Sequence, residues 1–166
     1  MSGLVKNILI LCTGNSARSI LAEAIINHRG QGRWRGFSAG SQPKSAPHPV
    51  ALELLRHMQM PIENLRSKSW DEFAAPQAPK MDFIFTVCDN AAGEVCPIWP
   101  GHPATAHWGL DDPAAATGTP DQQMAAFRTA FGILETRVIA FMALPFETLS
   151  ADALKMELKR IGGLMP

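Results

Sequence analysis

Four consecutive large aliphatics, Ile8-Leu9-Ile10-Leu11, leave neither face of an extended segment for water, so the pattern predicts a strand buried on both sides. The run then breaks over small and polar residues. Apolar positions resume at helical spacing through Ile20, Leu21, Ala24 and Ile25, which predicts a first helix from about Ser19 to His28. Beyond the glycines at 30 and 32, Trp34 to Ala39 reads as a short second strand. Val50, Leu54 and Met58, with Ala51 and Leu55 beside them, form one apolar helical face that Pro49 suits as a first turn and Pro61 ends. Ser69 followed by Glu72 predicts the start of a short helix that stops by Pro76. Within Met81 to Val87, Phe83-Ile84-Phe85-Thr86-Val87 is a second run of strand formers, and Ala104 to Trp108 predicts a last short strand. Thr119, Pro120 and Gln122 open a long helix whose Phe127, Phe131, Leu134, Val138 and Phe141 keep one stripe until Pro145. A final helix runs from Ser150 as N-cap through Leu154, Leu158 and Ile161 to Gly162-Gly163. Strands alternating with helices predict an α/β fold with parallel pairing, a four-stranded sheet between helices.

Length and composition narrow the class. At 166 residues, 46% hydrophobic and 18% charged, the chain is expected to be a single globular catalytic domain over 1–166, with about 147–166 a C-terminal helical extension. A formal net charge of zero argues against nucleic acid as a partner, because phosphate binding calls for a basic excess. No apolar stretch approaches the roughly 20 residues of a membrane span, and Met-Ser-Gly-Leu-Val-Lys lacks the apolar core of a signal peptide, so no membrane partner and a cytoplasmic location are expected. Three cysteines do not make a disulfide framework, and reduced, reactive thiols are the better reading.

The first strand stops at Cys12, and Thr13, Gly14, Asn15, Ser16 and Ala17 separate that cysteine from Arg18. A tight loop running into a helix offers unpaired backbone N–H groups and the positive end of the helix dipole, a cradle for a tetrahedral oxyanion. Gly14 and Asn15 are residue types that tolerate left-handed backbone. Arg18 can present a charged fork to two anion oxygens. The same field is expected to hold the Cys12 thiol low enough to be a thiolate at neutral pH, with the Ser19 hydroxyl as a further donor to it. The second apolar run also ends at a cysteine, Cys88, which a parallel sheet places on the same edge as Cys12.

Cys12-Thr-Gly-Asn-Ser-Ala-Arg18-Ser19 resembles the active-site loop of the low-molecular-weight protein tyrosine phosphatase superfamily, in particular its arsenate reductase branch. The resemblance extends to about residue 146 and implies a three-layer fold with strand order 2-1-3-4. It implies that residues 13–18 bind arsenate or phosphate and that Cys12 attacks arsenic. Asp112, directly before Pro113, matches the general acid that protonates the leaving oxygen. By the same resemblance Cys88 resolves the arsenic adduct and Cys96 takes over the disulfide. Thioredoxin, or glutathione with glutaredoxin, then restores the thiols; no tightly bound cofactor is expected. Seven residues separate Cys88 from Cys96, more than in typical thioredoxin-coupled members. Cys88 and Cys96 also have two structural readings, as buried apolar-like residues or, weakly, as metal ligands with His102 and His107, and the redox reading is the stronger. Glu23 and Ser38 stand where some arsenate reductases bind a monovalent cation, although a helix-surface glutamate is the plainer reading of Glu23. The competing function is a phosphotyrosine phosphatase or small phosphoester hydrolase. Phosphatases of this kind usually carry aromatics after the Asp-Pro pair to grip an aryl ring, and this chain has Ala114-Ala115-Ala116 there and no tyrosine.

Overall fold

The computed structural model describes residues 4–88, 99 and 101–166. Strands β1 (Lys6–Leu11), β2 (Trp34–Ala39), β3 (Phe83–Thr86) and β4 (Ala104–His107) form one parallel sheet in the order β2-β1-β3-β4, as the resemblance implied. β1 lies between two neighbours, which is why it can be aliphatic on both faces: Ile8, Leu9, Ile10 and Leu11 are 0–1% exposed. β4, at an edge, alternates half-buried and exposed residues and carries the polar Thr105 and His107.

Helices α1 (Arg18–Gly30), α2 (Pro49–His57), α3 (Pro120–Met142) and α4 (Ala151–Ile161) all contribute to one core with Ile8, Ile10, Phe83 and Phe85 from the sheet. At its centre Phe85 stacks on Trp108 with ring centroids 3.9 Å apart, and Phe141 of α3 meets both edge-on. Leu9, Leu11 and Ile84 point to the opposite face and pack with Phe73, Met81 and the half-buried Phe37, Trp70 and Trp99. The predicted starts are realised: Thr119 and Gln122 cap α3 reciprocally, and the Ser150 hydroxyl accepts from the Ala153 N–H at 3.1 Å. One element is shorter than expected. The Ser69 hydroxyl caps Asp71, but only a 3-10 turn, Trp70–Phe73, follows, because Pro76 disfavours helical backbone at Ala75. No helix among the described residues is long and apolar enough to cross a membrane.

Candidate active site

β1 delivers Cys12 to the carboxyl edge of the sheet. The Cys12 N–H donates to the Ala39 carbonyl at 3.1 Å and the Val87 N–H to the Leu11 carbonyl at 3.0 Å, so β2 and β3 fix the loop start from either side. Residues 13–17 then turn into α1, whose N-cap is Ala17, with no side-chain cap. The first N–H groups of the helix are left without a side-chain acceptor, the condition an anion site requires. The loop is shaped by Asn15, which is fully buried at φ 45°. Its amide Nδ2 donates to Ser19 Oγ at 2.8 Å and Ser38 Oγ at 2.9 Å, and its Oδ1 accepts from the Lys68 N–H at 2.9 Å. Asn15 is thus the left-handed residue of the loop. Gly14 has no positive φ, and a Cβ there would meet the Lys44 chain only at an ordinary contact distance, 3.4 Å from its Cε.

The loop 13–18, Cys12, Gln42, Lys44, Cys88, Asp112 and Ala114 enclose a cavity of about 290 Å³. Arg18 walls it: Nη1 donates to the Leu110 carbonyl at 2.8 Å, Nη2 stands 3.7 Å from Asp112 Oδ2, and the buried Nε has no hydrogen-bond partner among the described residues. An unsatisfied buried donor costs on the order of 1–3 kcal/mol. Asp112 Oδ1 accepts from the Ala114 N–H at 2.9 Å, which closes the 3-10 turn Pro113–Ala115 and holds the carboxyl group at the cavity wall. A larger groove of about 590 Å³ lies at the other end of the strands, between Lys6, Trp34 and Phe146, and no cysteine lines it.

The two thiols meet. Cys12 and Cys88 are 6% and 4% exposed, neither is in a disulfide, and they stand within hydrogen-bonding reach of each other. The Thr13 N–H donates to Cys88 Sγ at 3.3 Å, so the second cysteine sits directly on the oxyanion loop. This contact changes the expected electrostatics. The hydrogen bond with Cys88, and then burial, push the Cys12 thiol well above its ordinary pKa, against the pull of Arg18 and of the Gly14 N–H. Cys88 and burial thus oppose the thiolate that Arg18 and the loop favour. Ser19 is fully buried and its hydroxyl oxygen accepts from Asn15, which makes it a brace of the loop. Cys96 lies outside the described residues.

Behind the loop, Ser38 donates to Glu23 at 2.5 Å, and the Lys68 ammonium stands 3.7 Å from Glu23 while donating to the Ser38 and Arg66 carbonyls at 2.7 Å each. Burial pushes Glu23 up and Lys68 down, each opposed by the other's charge. Sequence reasoning missed Lys68, because a lysine in a loop reads as solvated. It also missed His48, whose ring caps α2 through the Val50 N–H and packs on Phe127, and whose backbone N–H donates to the Ser16 carbonyl at 2.8 Å. Burial, with Lys44 adding to it, holds His48 below the usual imidazole range. The prolines at 47 and 49 were the available signal of a fixed turn there. Among the described residues, no group of three His, Cys, Asp or Glu side chains gathers to hold a metal.

Comparison with known proteins adds to this geometry. A sequence profile described as low molecular weight phosphotyrosine protein phosphatase matches residues 7–157. The chain is 33% identical over 136 residues to an arsenate reductase of Shouchella clausii, covering 82% of this chain and 94% of the relative. A solved arsenate reductase in its phosphate binding state superposes with a TM-score of 0.63 at 25% identity, over 84% of this chain and 98% of that one. A thioredoxin-dependent arsenate reductase of Corynebacterium glutamicum superposes at 0.59 and 25% identity, over 81% of this chain and 60% of that longer one.

Proposed function

The chain belongs to the low molecular weight phosphotyrosine protein phosphatase family, and from that premise we propose that it works as an arsenate reductase, one catalytic domain acting in the cytoplasm. The observation that carries this reading is that Cys12 and Cys88, neither in a disulfide and within hydrogen-bonding reach of each other, both line an oxyanion-sized cavity. A hydrolase needs only the first of them.

Arg18 and the backbone of residues 13–18, which line the cavity, hold the oxyanion. Cys12, once Cys88 releases it, attacks arsenic as a thiolate. Asp112 protonates the oxygen that leaves as water. Cys88 then attacks the Cys12 sulfur; the S–As electron pair stays on arsenic, which falls from the pentavalent to the trivalent state and departs as arsenite. A Cys12–Cys88 disulfide remains. Cys96 exchanges into it and passes the oxidised pair to an external thiol reductant. Thioredoxin is favoured by the structural relative named above, and glutathione with glutaredoxin is the other candidate. The positive charge that a monovalent cation would bring to Glu23 and Ser38 is already present in the Lys68 ammonium, so no free cation has a part in this scheme. The phosphatase alternative has less support, since Ala114 lines the cavity where a ring-gripping side chain would be needed. Slow hydrolysis of small phosphoesters is expected all the same.

The test is arsenite production from arsenate by the purified protein, with thioredoxin, its reductase and NADPH in one arm and glutathione with glutaredoxin in the other. Turnover is expected in the thioredoxin arm, none with Cys12→Ser, and slowed turnover with Cys96→Ser. Arsenite from Cys12→Ser at the wild-type rate contradicts the reading.

A further inference from the structure

Arg137 of α3 is 3% exposed, and among the described residues no carboxylate pairs with it. Burying a guanidinium without a counter-ion is costly, and burial accordingly pulls its pKa down. What surrounds it is a set of carbonyls. Nη1 donates to Trp108 at 2.7 Å and to Gly109 at 3.1 Å, and Nε donates to Leu164 at 3.2 Å. The next carbonyl along the loop, that of Leu110, is the one Arg18 takes from the cavity side at 2.8 Å. Two guanidinium groups therefore grip three successive carbonyls of the segment that leads to Asp112.

The chain beyond α3 closes this grip from behind. Trp108 Nε1 donates to the Leu158 carbonyl of α4 at 3.0 Å. Gly162, just past α4, approaches so closely that a Cβ there would stand 2.8 Å from the His107 carbonyl oxygen and 2.9 Å from Trp108 Cδ1. Leu158 and Ile161 are buried in the main core, so α4 is itself fixed.

We propose that the C-terminal segment is a brace for the general-acid loop and that Arg137 is the positioning residue through which it acts, an inference that rests on Asp112 being the acid. With the carbonyls of 108, 109 and 110 fixed, few backbone rotations remain before Asp112, whose side chain is otherwise 42% exposed. Placement of a reacting group within about 1 Å decides up to about a hundredfold in rate, which is the scale on which such a brace acts.

The experiment is a double-mutant cycle on the single-turnover rate of arsenite formation at saturating arsenate, in the full chain. Asp112→Asn is expected to slow it about a hundredfold. Arg137→Gln is expected to slow it about tenfold, with the half-saturating arsenate concentration within about twofold of wild type. In the Asp112→Asn background, Arg137→Gln should cost nothing further, because the group it places is already gone. Gly162→Ala, which pushes α4 away from the loop, should show the same rate loss and the same non-additivity, and decides the matter if Arg137→Gln does not fold. Losses that add in the double variants, or a rate kept within twofold by both Arg137→Gln and Gly162→Ala while Asp112→Asn slows it, overturn the brace. A harmless Asp112→Asn instead overturns the acid assignment on which the brace depends.

Discussion

Cys12 shows how one neighbour reverses an expectation. An arginine and a helix start both favour the thiolate, yet the Cys88 thiol and burial outweigh them. Cys88→Ala removes the leading cause of the rise, so the Cys12 pKa falls and more thiolate is present at any given pH. Alkylation of Cys12 by iodoacetamide at pH 7 should then quicken about tenfold or more, each pH unit of change being a factor of ten. An unchanged rate would mean that Cys88 does not hold the proton. The Lys68–Glu23 pair makes a second residue-scale prediction. Lys68→Met strands a buried carboxylate and should cost about 3–5 kcal/mol in urea unfolding, whereas Lys68→Met with Glu23→Gln should recover much of it. A loss below about 1 kcal/mol for the single variant would refute that role. Cys12, Arg18 and Asp112 were legible in the sequence because their chemistry is local or follows a motif. Lys68 and Arg137 were not: each is buried only because carbonyls distant in the sequence converge on it, and no spacing signals that.

Among the elements, those with strong periodicity and side-chain caps were the legible ones. The predicted second strand coincides with β2, and α3 and α4 begin at the caps read from Thr119 and Ser150. Thr119→Ala should cost about 1 kcal/mol of stability without altering arsenate turnover, since its hydroxyl serves only the start of α3. The β2–α2 connection was read merely as a loop, yet it backs the loop of residues 13–17. The Gln42, Lys44 and His48 N–H groups donate to the carbonyls of Thr13, Gly14 and Ser16, a pairing that no apolar pattern encodes. Gly40 allows the approach, because a Cβ there would run into the Thr13 and Cys12 carbonyls. Gly40→Ala is therefore expected to weaken inorganic phosphate binding, followed by calorimetry, and to cost about 1–3 kcal/mol of stability. Wild-type phosphate affinity in that variant would show that the two loops are not coupled.

At the scale of the molecule, the sheet brings the ends of β1 and β3 to one edge, and with them two thiols that are 76 residues apart in sequence. Pairing Leu11 with Thr86 sets that register, and the aromatic cluster of Phe85, Trp108 and Phe141 holds it from the helical side. The α/β class could be argued from alternating elements alone, whereas the strand order came only with the resemblance, because spacing does not say which strand lies beside which. A reductase built this way must oxidise its own thiols for each arsenate it reduces. The most direct measurement is a single turnover of fully reduced Cys96→Ser protein with excess arsenate and no external thiol, scoring arsenite and free thiols together. The prediction is one arsenite per chain, the loss of two thiols, and a Cys12–Cys88 disulfide in the peptide mass map. No arsenite, or arsenite formed with every thiol intact, would contradict it.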